Sequence, residues 1–380
     1  MKEQQSNVER SSVLSCPTVL ISGASFAGLA TAYWMNKLGY HVTVVEIADG
    51  LRKGGTPVDI KEQTIDILRR MGLLDAVRAR SLPPRRTEFK DANGVTKALL
   101  PAQAVSRGGP DEQYEVDRDV LLDIFFEAVA NKVDIFFARS ITRLEEQQDC
   151  VVAWFSDGSS QAFSLILGCD GMRSNTRRLA FGNDEEHVYF LETYAFLKVV
   201  QKALIEPDVT EIYTVPGRMA MLNGYEGRTD IALGFHSEQE LTYDHLDKAQ
   251  QIQLILDRFD GIGWRVPELL GEVDAAGDFY FDKICQIRMP SWSKGRVALV
   301  GDAGYCPSPF AGMGGSMAII GAAAISDALQ RHGDDFAAAF RDYDTNLRPF
   351  VEKIQNEAVS FGKTMFAPET EAAVDEPAAR

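Results

Sequence analysis

The sequence predicts an α/β fold: a parallel sheet covered by helices, an inserted antiparallel layer, and a long C-terminal helix. Three observations predict it. Thr18–Ser22 and His41–Val45 are short β-branched runs on either side of a helical pattern, which is typical of a βαβ unit. Between about 185 and 290, alternating stretches such as EIYTV and DIALGFH indicate antiparallel strands. Apolar residues from Leu347 to Met365 recur at spacings of four and three, as in an amphipathic helix.

The elements between these landmarks follow from the same periodicities. Apolar residues at helical spacing predict helices that end near glycine or polar residues. The predicted helices are 27–38, 63–80, 119–131, 246–259, 315–330 and 336–343. The predicted strands are 134–137, 150–155, 162–168 and the run RVALVGDAG that begins at Arg296, with short strands and loops over 86–116.

Composition and charge exclude several classes of protein. The 380 residues carry a formal net charge of −16, which argues against a nucleic-acid binder because such proteins present basic surface to phosphate. The longest apolar run, Met317–Ile325, is far shorter than the roughly 20 residues of a membrane span. Five scattered cysteines and five scattered histidines suggest neither a disulfide framework nor a metal site. We therefore expect a cytoplasmic protein without a metal ion.

A nucleotide-binding signal lies in the first βαβ unit. Gly23-Ala24-Ser25-Phe26-Ala27-Gly28 joins the first strand to the first helix and resembles GxGxxG, with Ser25 at the second glycine position. Gly23 permits a tight turn, Gly28 permits close packing of helix on strand, and the helix N-terminus offers N–H groups to a pyrophosphate. Glu46 ends the second strand, where a carboxylate can accept hydrogen bonds from ribose hydroxyls.

Two further motifs occur later in the chain. Asp170-Gly171-Met172-Arg173-Ser174-Asn175-Thr176-Arg177 follows a strand, and Ser174 can cap a short helix. The second motif runs from Gly301-Asp302 through Pro309 and Gly312 to Gly314-Gly315-Ser316. It combines a strand end, an aspartate, prolines and a glycine-rich helix start.

Together these motifs resemble those of the FAD-dependent aromatic hydroxylases, the para-hydroxybenzoate hydroxylase class of flavin monooxygenases. The resemblance implies a Rossmann-like FAD-binding domain. It implies that Asp302 binds the ribityl chain and that the glycines after it start a helix facing the flavin pyrimidine. It also implies that the Asp170 stretch serves FAD and the pyridine nucleotide. The sequence departs from the family pattern at Ser25, Tyr305, Met313 and Ser316.

Other positions match the family by context. Arg118 stands before a helix where family members place an arginine on FAD, and Arg52, Lys53 and Asp59 belong to a loop that lies over the flavin. The resemblance thus predicts a set of cofactor-binding residues. They are Gly23, Ser25, Phe26, Ala27, Gly28, Glu46, Arg52, Lys53, Asp59, Arg118, Asp170, Asp302, Pro309, Gly312, Gly314 and Gly315.

The patterns along the chain predict its organisation, and the resemblance adds an expectation about its oligomeric state. We expect a monomer to be plausible. The expected ranges are a flexible leader over 1–15, an FAD-binding domain over 16–184 and 291–342, a substrate-binding domain over 185–290, a bridging helix over 343–366 and a disordered tail over 367–380.

The resemblance predicts a monooxygenase that binds FAD, uses NADPH as a transient co-substrate and inserts one atom of O2 into an electron-rich polycyclic or aromatic substrate. The Arg-Lys-Gly-Gly loop, the Tyr-Cys-Pro-Ser-Pro run and the added helix are most similar to the tetracycline-inactivating branch. A hydroxylase of another polyketide or phenol, and an FAD protein that sequesters its ligand without efficient turnover, remain alternatives. A halogenase is disfavoured because the WxWxIP signature is missing, and a plain dehydrogenase because no second nucleotide fold occurs.

We expect the substrate between the flavin and the antiparallel layer, with no catalytic side chain beyond the flavin. Arg218 is the favoured ligand for an anionic or enolic group, and Ala220 shares its strand phase. The candidate substrate residues are Phe196, Arg218, Ala220, Phe235, His236, Phe310 and Ala311.

Overall fold

The computed structural model describes residues 17–102, 112–182, 185–275 and 277–365. The leader and the tail expected at 1–15 and 367–380 lie outside these residues. In the described ranges, every helix falls short of the length and apolarity that a membrane crossing requires. The same ranges bring together no group of three or more His, Cys, Asp or Glu side chains suited to hold a metal ion.

The described chain alternates helices and strands up to residue 181 and is rich in long strands after it. The α-helices are α1 (Phe26–Lys37), α2 (Gln63–Met71), α3 (Leu74–Arg78), α4 (Arg118–Val129), α5 (Asn175–Phe181), α6 (Lys248–Phe259), α7 (Val266–Asp274), α8 (Asp302–Tyr305), α9 (Gly314–His332) and α10 (Phe336–Met365). The strands of the first half are β1 (Thr18–Ser22), β2 (His41–Val45), β3 (Val58–Lys61), β4 (Arg86–Lys90), β5 (Thr96–Leu100), β6 (Gln113–Val116), β7 (Asp134–Phe136), β8 (Ile141–Glu146), β9 (Val151–Phe155), β10 (Ser160–Phe163) and β11 (Leu165–Gly168). Those of the second half are β12 (Val188–Val200), β13 (Val209–Val215), β14 (Arg218–Tyr225), β15 (Arg228–His236), β16 (Tyr280–Ile287), β17 (Ser293–Lys294) and β18 (Val297–Leu299).

The first βαβ unit lies at the centre of a six-stranded sheet ordered β17-β18-β11-β1-β2-β7. Neighbouring strands from β18 to β7 are parallel, and β17 pairs antiparallel at the edge. The inner strands β1, β2 and β11 are buried along almost their whole length, because helices cover a parallel sheet on both faces. The predicted parallel sheet is therefore confirmed, and its main core joins β1, β2 and β11 to α1, α4 and α9.

The second large sheet has seven strands in the order β16-β12-β15-β14-β13-β4-β5. Its pairs are antiparallel apart from β13 with β4. Residues alternate between the two faces of such a sheet. One face carries an aromatic cluster that packs on α6 and α7. The opposite face meets Phe310, at the turn before α9, and Ala358 of α10.

Several elements differ from the sequence predictions. The helix expected at 63–80 is two helices, because Gly72 adopts a left-handed conformation between them. The strand expected at 162–168 is two strands, β10 and β11, in different sheets. The sheet expected within 185–290 also takes in β4 and β5, and the pattern did not reveal β8 or α7.

The two C-terminal helices expected on either side of residue 345 form the single helix α10, which runs through Pro349. A proline in a helix interior costs about 3 kcal/mol because it removes a backbone hydrogen bond. Burial of Leu347 before the proline, and of Val351 and Ala358 after it, offsets that cost.

Candidate functional site

The turn between β1 and α1 is built for a close approach of backbone to backbone. Gly23 has a φ of 104°, and a Cβ on it would lie 2.5 Å from the carbonyl oxygen of Cys169. A Cβ on Gly28 would overlap the carbonyl oxygen of Gly23. Ser25, the N-cap residue of α1, makes no side-chain capping bond within the described structure. The first N–H groups of α1, at Phe26 and Ala27, are thus available to an anion such as a pyrophosphate.

Glu46 lies beside this turn at the end of β2. Its Oε2 accepts a hydrogen bond of 2.8 Å from the Ala24 amide, and its Oε1 accepts one of 3.0 Å from the Ala48 amide. A carboxylate has about four lone-pair positions, so both oxygens can accept further bonds. The two amides fix the carboxylate next to the turn, where ribose hydroxyls could donate to it.

Arg118 joins the start of α4 to the loop that follows β2. Its Nη1 donates to the carbonyl oxygens of Arg52 at 2.7 Å and Gly54 at 3.0 Å, and its Nη2 lies 3.5 Å from the hydroxyl of Ser25. Burial lowers the pKa of this guanidinium, and Asp119 opposes the change. The oxygens that Arg118 contacts are neutral, so a phosphate at this corner would supply a counter-charge.

The three loop residues predicted to bind the cofactor, Arg52, Lys53 and Asp59, have different surroundings in the structure. Lys53 extends to Asp123 of α4, with 2.9 Å between Nζ and the carboxylate, and this hydrogen bond raises its pKa. The side chain of Arg52 is exposed. Asp59, on β3, is accessible yet recessed, and burial raises its pKa. Roles for these three side chains toward the cofactor stay predictions.

Asp170 organises the segment after β11. Its carboxylate accepts hydrogen bonds from the Ser174 hydroxyl, from the Thr176 amide and hydroxyl at 2.8 Å each, and from the Ser22 hydroxyl at 3.3 Å. Ser174 caps α5 by accepting from the Arg177 amide at 2.9 Å, as predicted. These contacts show that Asp170 shapes the loop, and its direct contact with a cofactor stays a prediction.

Arg177 connects this segment to the next motif. Only 1% of its surface is exposed, and its guanidinium donates to the carbonyl oxygens of Met172 at 2.6 Å and Ala303 at 2.7 Å. A buried arginine in this position fixes the Asp170 and Asp302 motifs relative to each other. The arginine belongs to the motif visible in the sequence, whereas its linking role depends on contacts between distant parts of the chain.

Asp302 carries the clearest mark of a missing polar partner. Its Oδ1 is buried and has no hydrogen-bond partner among the described residues. Burial raises the pKa of its carboxyl to about 6. Such an acceptor costs free energy unless a donor reaches it. The hydroxyls of a ribityl chain are donors of the required kind, so this residue fits FAD.

The start of α9 gives a second match to a flavin. Met313, its N-cap residue, makes no side-chain capping bond in the described structure, so the first N–H groups of α9 can face a ligand. The space around a Cβ built on Gly314 is open to 4 Å. Gly315 differs, because a Cβ there would overlap Val58 of β3. Gly314 therefore faces open space, whereas Gly315 lets α9 pack against β3.

Three departures from the family motif have structural explanations. Tyr305 is 1% exposed, and its hydroxyl lies 2.8 Å from that of Tyr343, which donates to the carbonyl oxygen of Leu299. Ser316 donates to the carbonyl oxygen of Asp59 at 2.8 Å and so ties α9 to β3. Met313 is 5% exposed and belongs to the main core. All three therefore serve hydrogen bonding or packing inside the protein.

Three of the predicted substrate residues of the antiparallel layer lie in the core between the sheet and the helices α6 and α7, and their contact with a substrate stays a prediction. Phe196, Ala220 and Phe235 are 1–2% exposed and pack with α6 and α7, in a stack where the rings of Tyr194 and Phe235 are 5.5 Å apart. Arg218 pairs with Phe235 and shares that phase. The helix α7, which the sequence pattern does not reveal, helps to cover these aromatic residues.

The other predicted substrate residues lie on the opposite side. His236 has the phase opposite to Phe235 and thus shares the face that meets Phe310. Phe310 and Ala311 pack with Ile284, Leu191 and Ala195. Their contact with a substrate stays a prediction.

This opposite face contains residues that sequence reasoning missed. Leu197, Ala232 and Met221 lie side by side on β12, β15 and β14, and all three are partly accessible. Their neighbours on each strand are buried, so the accessibility is confined to this face. The signal in the sequence was Ala232 and Gly234 within one strand, because small residues in a strand often mark a close approach by a ligand.

Comparison with known proteins agrees with this geometry. A family model described as an FAD binding domain matches residues 17–358. An uncharacterized protein of Mycobacterium tuberculosis is 37% identical over 345 residues, which cover 89% of this chain and 91% of that protein. A flavin-dependent monooxygenase from an unknown prokaryotic organism is 32% identical over 354 residues, covering 92% of this chain and 91% of its own. The crystal structure of tetracycline destructase Tet(55) superposes with a TM-score of 0.84 at 29% identity, over 95% of this chain and 93% of that one.

The unpaired Asp302 oxygen, the open start of α9 and the Glu46 turn all suit FAD, and they lie in the range that the family model covers. Relatives that this chain matches over most of their length are named flavin-dependent monooxygenases. The chain therefore belongs to this family of FAD-binding proteins and is an FAD-dependent monooxygenase.

Proposed function

We propose that this monooxygenase uses NADPH as a transient reductant and inserts one oxygen atom into tetracycline antibiotics, which inactivates them. In this proposal the protein acts in the cytoplasm, where NADPH is supplied. The observation that carries the proposal is the similarity to Tet(55) and Tet(51), at 29% and 28% identity over 95% of this chain.

The accessible face of the seven-stranded sheet supports a broad, largely apolar substrate. Leu197, Met221 and Ala232 offer apolar surface without large aromatic rings. Phe310 and Ala311 close one end of this face against Ile284. A polycyclic ligand needs such an extended apolar wall, because most of its binding free energy comes from burying its rings.

The chain's own residues would hold the cofactor and keep water out. Bound FAD supplies the electron transfer and the activation of O2. Asp302 would accept a hydroxyl hydrogen bond, Glu46 would accept from a ribose, and Arg118 would face a phosphate. The N–H groups at the start of α9 stabilise negative charge placed next to Gly314. Gly362 of α10 packs directly on the ring of Phe310 and so limits access from that side.

The test is a turnover experiment with the FAD-loaded protein. It is incubated with tetracycline, NADPH and air, while NADPH consumption and the mass of the product are recorded. We expect tetracycline-stimulated NADPH consumption and a product one oxygen atom heavier, or a breakdown product of it. The matched control is Asp302→Ala, which removes the acceptor for the cofactor, and for which we expect reduced FAD content and reduced turnover together.

Other outcomes would select the alternatives. Oxygenation of phenols or other polyketides without oxygenation of tetracycline would identify a related hydroxylase. Tight binding of tetracycline with no stimulated NADPH consumption would identify a sequestering protein. Turnover with NADH and not with NADPH would show that NADH is the reductant.

A further inference from the structure

Tyr280 combines an accessible ring with a hydroxyl that lies in a recess. It is the first residue of β16, which forms one edge of the seven-stranded sheet, and 45% of its surface is exposed. Burial nevertheless raises the pKa of its hydroxyl, as it does for a group that protein surrounds on most sides. No hydrogen bond joins this hydroxyl to another of the described residues. The side chain therefore enters a cleft instead of open solvent, and its polar end is available to a ligand.

The position of Tyr280 in the sheet follows from its pairing. It lies opposite Leu197 of β12, which lies opposite Ala232 of β15, which in turn lies opposite Met221 of β14. Directly opposite residues of antiparallel strands project from the same face. Tyr280 therefore extends the apolar wall, which consists of Leu197, Ala232 and Met221, to the edge of the sheet. The four positions span three strand spacings, roughly 14 Å.

The hydroxyl of Tyr280 also lies close to two of the cofactor motifs. Asp282, two residues further along β16, has the same phase and accepts a hydrogen bond of 2.7 Å from Nη2 of Arg173, which belongs to the loop between β11 and α5. Asp282 and Cys306 raise the pKa of the Tyr280 hydroxyl and Arg173 lowers it, so all three lie within electrostatic reach of it. Cys306 directly follows α8, the helix that begins at Asp302. Tyr280 therefore faces the gap between the sheet and the region where we place FAD.

The neighbours of Tyr280 define what it can bind. Burial and the adjacent carboxylate of Asp282 favour the neutral phenol, which keeps its proton and can donate it in a hydrogen bond. Asp282 compensates the charge of Arg173, so this pair adds no net positive charge for an anionic ligand. A neutral donor at the end of an apolar wall suits a hydroxyl or keto oxygen that is attached to a ring.

We propose that Tyr280 is a specificity-determining residue, whose hydroxyl donates a hydrogen bond to a hydroxyl or keto oxygen on a substrate ring that lies along the apolar wall. This inference rests on the proposed function, since it concerns the same substrate site. A ring without such an oxygen would cover the Tyr280 hydroxyl and leave it unpaired. An unpaired buried donor costs free energy, so the site discriminates against that ring.

A pair of ligands and a pair of proteins isolate this hydrogen bond. The ligands are 2-naphthol and naphthalene, which share one bicyclic ring and differ by a single hydroxyl. Their dissociation constants for the FAD-loaded protein are measured by equilibrium dialysis without NADPH, so that no turnover occurs. We expect the ratio of the naphthalene constant to the 2-naphthol constant to fall about fivefold in Tyr280→Phe, as the loss of one neutral hydrogen bond predicts. Tetracycline, whose rings carry hydroxyl and keto oxygens, should lose affinity by a similar factor.

The matched control is Tyr189→Phe. Tyr189 is a tyrosine of the same sheet with a similar exposed fraction, 49%, and its ring lies 5.9 Å from the guanidinium carbon of Arg288. It precedes Leu197 on β12 by eight residues, roughly 26 Å along the strand. Loss of the hydroxyl there should leave the ratio of the two constants unchanged. FAD content, circular dichroism and the flavin absorbance spectrum of each ligand-free variant should equal those of the unmodified protein.

The outcomes separate this inference from the tetracycline proposal. If tetracycline does not bind but the naphthalene ratio falls in Tyr280→Phe alone, the tetracycline proposal fails and the role of Tyr280 stands. An unchanged ratio in Tyr280→Phe, an equal fall in Tyr189→Phe, or no binding of 2-naphthol overturns that role even if tetracycline is oxidised. A changed flavin spectrum in ligand-free Tyr280→Phe would place the hydroxyl on the flavin and overturns it as well.

Discussion

The two adjacent glycines at the start of α9 should respond in opposite ways to the same substitution. A Cβ on Gly315 would come closer than 3 Å to Val58 Cγ1, and lie 3.5 and 3.6 Å from Val58 Cγ2 and Cβ. The optimal distance between non-bonded carbons is about 3.5–4.0 Å, so one methyl group of Val58 must move. Overpacking of this kind costs about 1–3 kcal/mol. Gly314→Ala meets open space and should leave stability unchanged or slightly raised, because alanine favours a helix.

The two variants should differ in the opposite sense in their affinity for FAD: Gly314→Ala, the more stable variant, should bind FAD more weakly. The open space at Gly314 is where we place the flavin, so Gly314→Ala should weaken FAD binding at least tenfold while the FAD-free protein stays as stable as before. Gly315→Ala should lower the free energy of unfolding of the FAD-free protein, and the double variant Gly315→Ala/Val58→Ala should recover it. Urea unfolding followed by circular dichroism gives the stabilities, and quenching of flavin fluorescence gives the affinities.

One result would refute this reasoning directly. If Gly314→Ala binds FAD as well as the unmodified protein does, the cofactor does not occupy the space at the start of α9. If Val58→Ala fails to recover the stability of Gly315→Ala, the overlap with β3 is not the cause of the loss.

Three further predictions concern buried contacts. Burial raises the pKa of Asp302 to about 6, so its ionisation destabilises the folded FAD-free protein as the pH rises from the pKa of the unfolded chain to about 6. Asp302→Asn should therefore stabilise that protein more at pH 7.5 than at pH 4.5, which urea midpoints at the two pH values would show. Tyr305→Phe removes the hydrogen bond to Tyr343 and should cost about 1 kcal/mol without changing the flavin absorbance spectrum, whereas a changed spectrum would place Tyr305 at the flavin. Gly362→Ala overlaps the ring of Phe310 and should raise KM for the organic substrate with FAD content unchanged; an unchanged KM would separate Phe310 from the substrate site.

The fold was predictable where a local sequence pattern is compatible with only one structure. The run from Thr18 to Glu46 combines strand, glycine turn, helix, strand and acid in a fixed order, and each of these appears where expected. The same holds for Ser174 as the cap of α5. Such local signals depend on residues close in sequence, so the rest of the chain does not alter them.

Which face of the antiparallel sheet α6 and α7 cover was not predictable, because both faces carry apolar residues. Phe196 and Phe235 are predicted to face the substrate as inward positions of the layer, and the structure places them in the core beneath α6 and α7. Alternation reveals that a strand has two faces but not which one a helix will cover. The separate helices expected around residue 345 show that tertiary packing can override a proline.

The helix α10 has a consequence for the biosynthesis of the protein. It is translated after every other described element, yet its Tyr343, Leu347 and Val351 belong to the main core together with β1 and α1, which are made first. A nascent chain that has not yet extended this helix from the ribosome leaves that part of the core exposed. The N-terminal nucleotide-binding unit therefore cannot reach its final packing until α10 has left the ribosome. Shortening the chain before Leu347 should yield protein that aggregates.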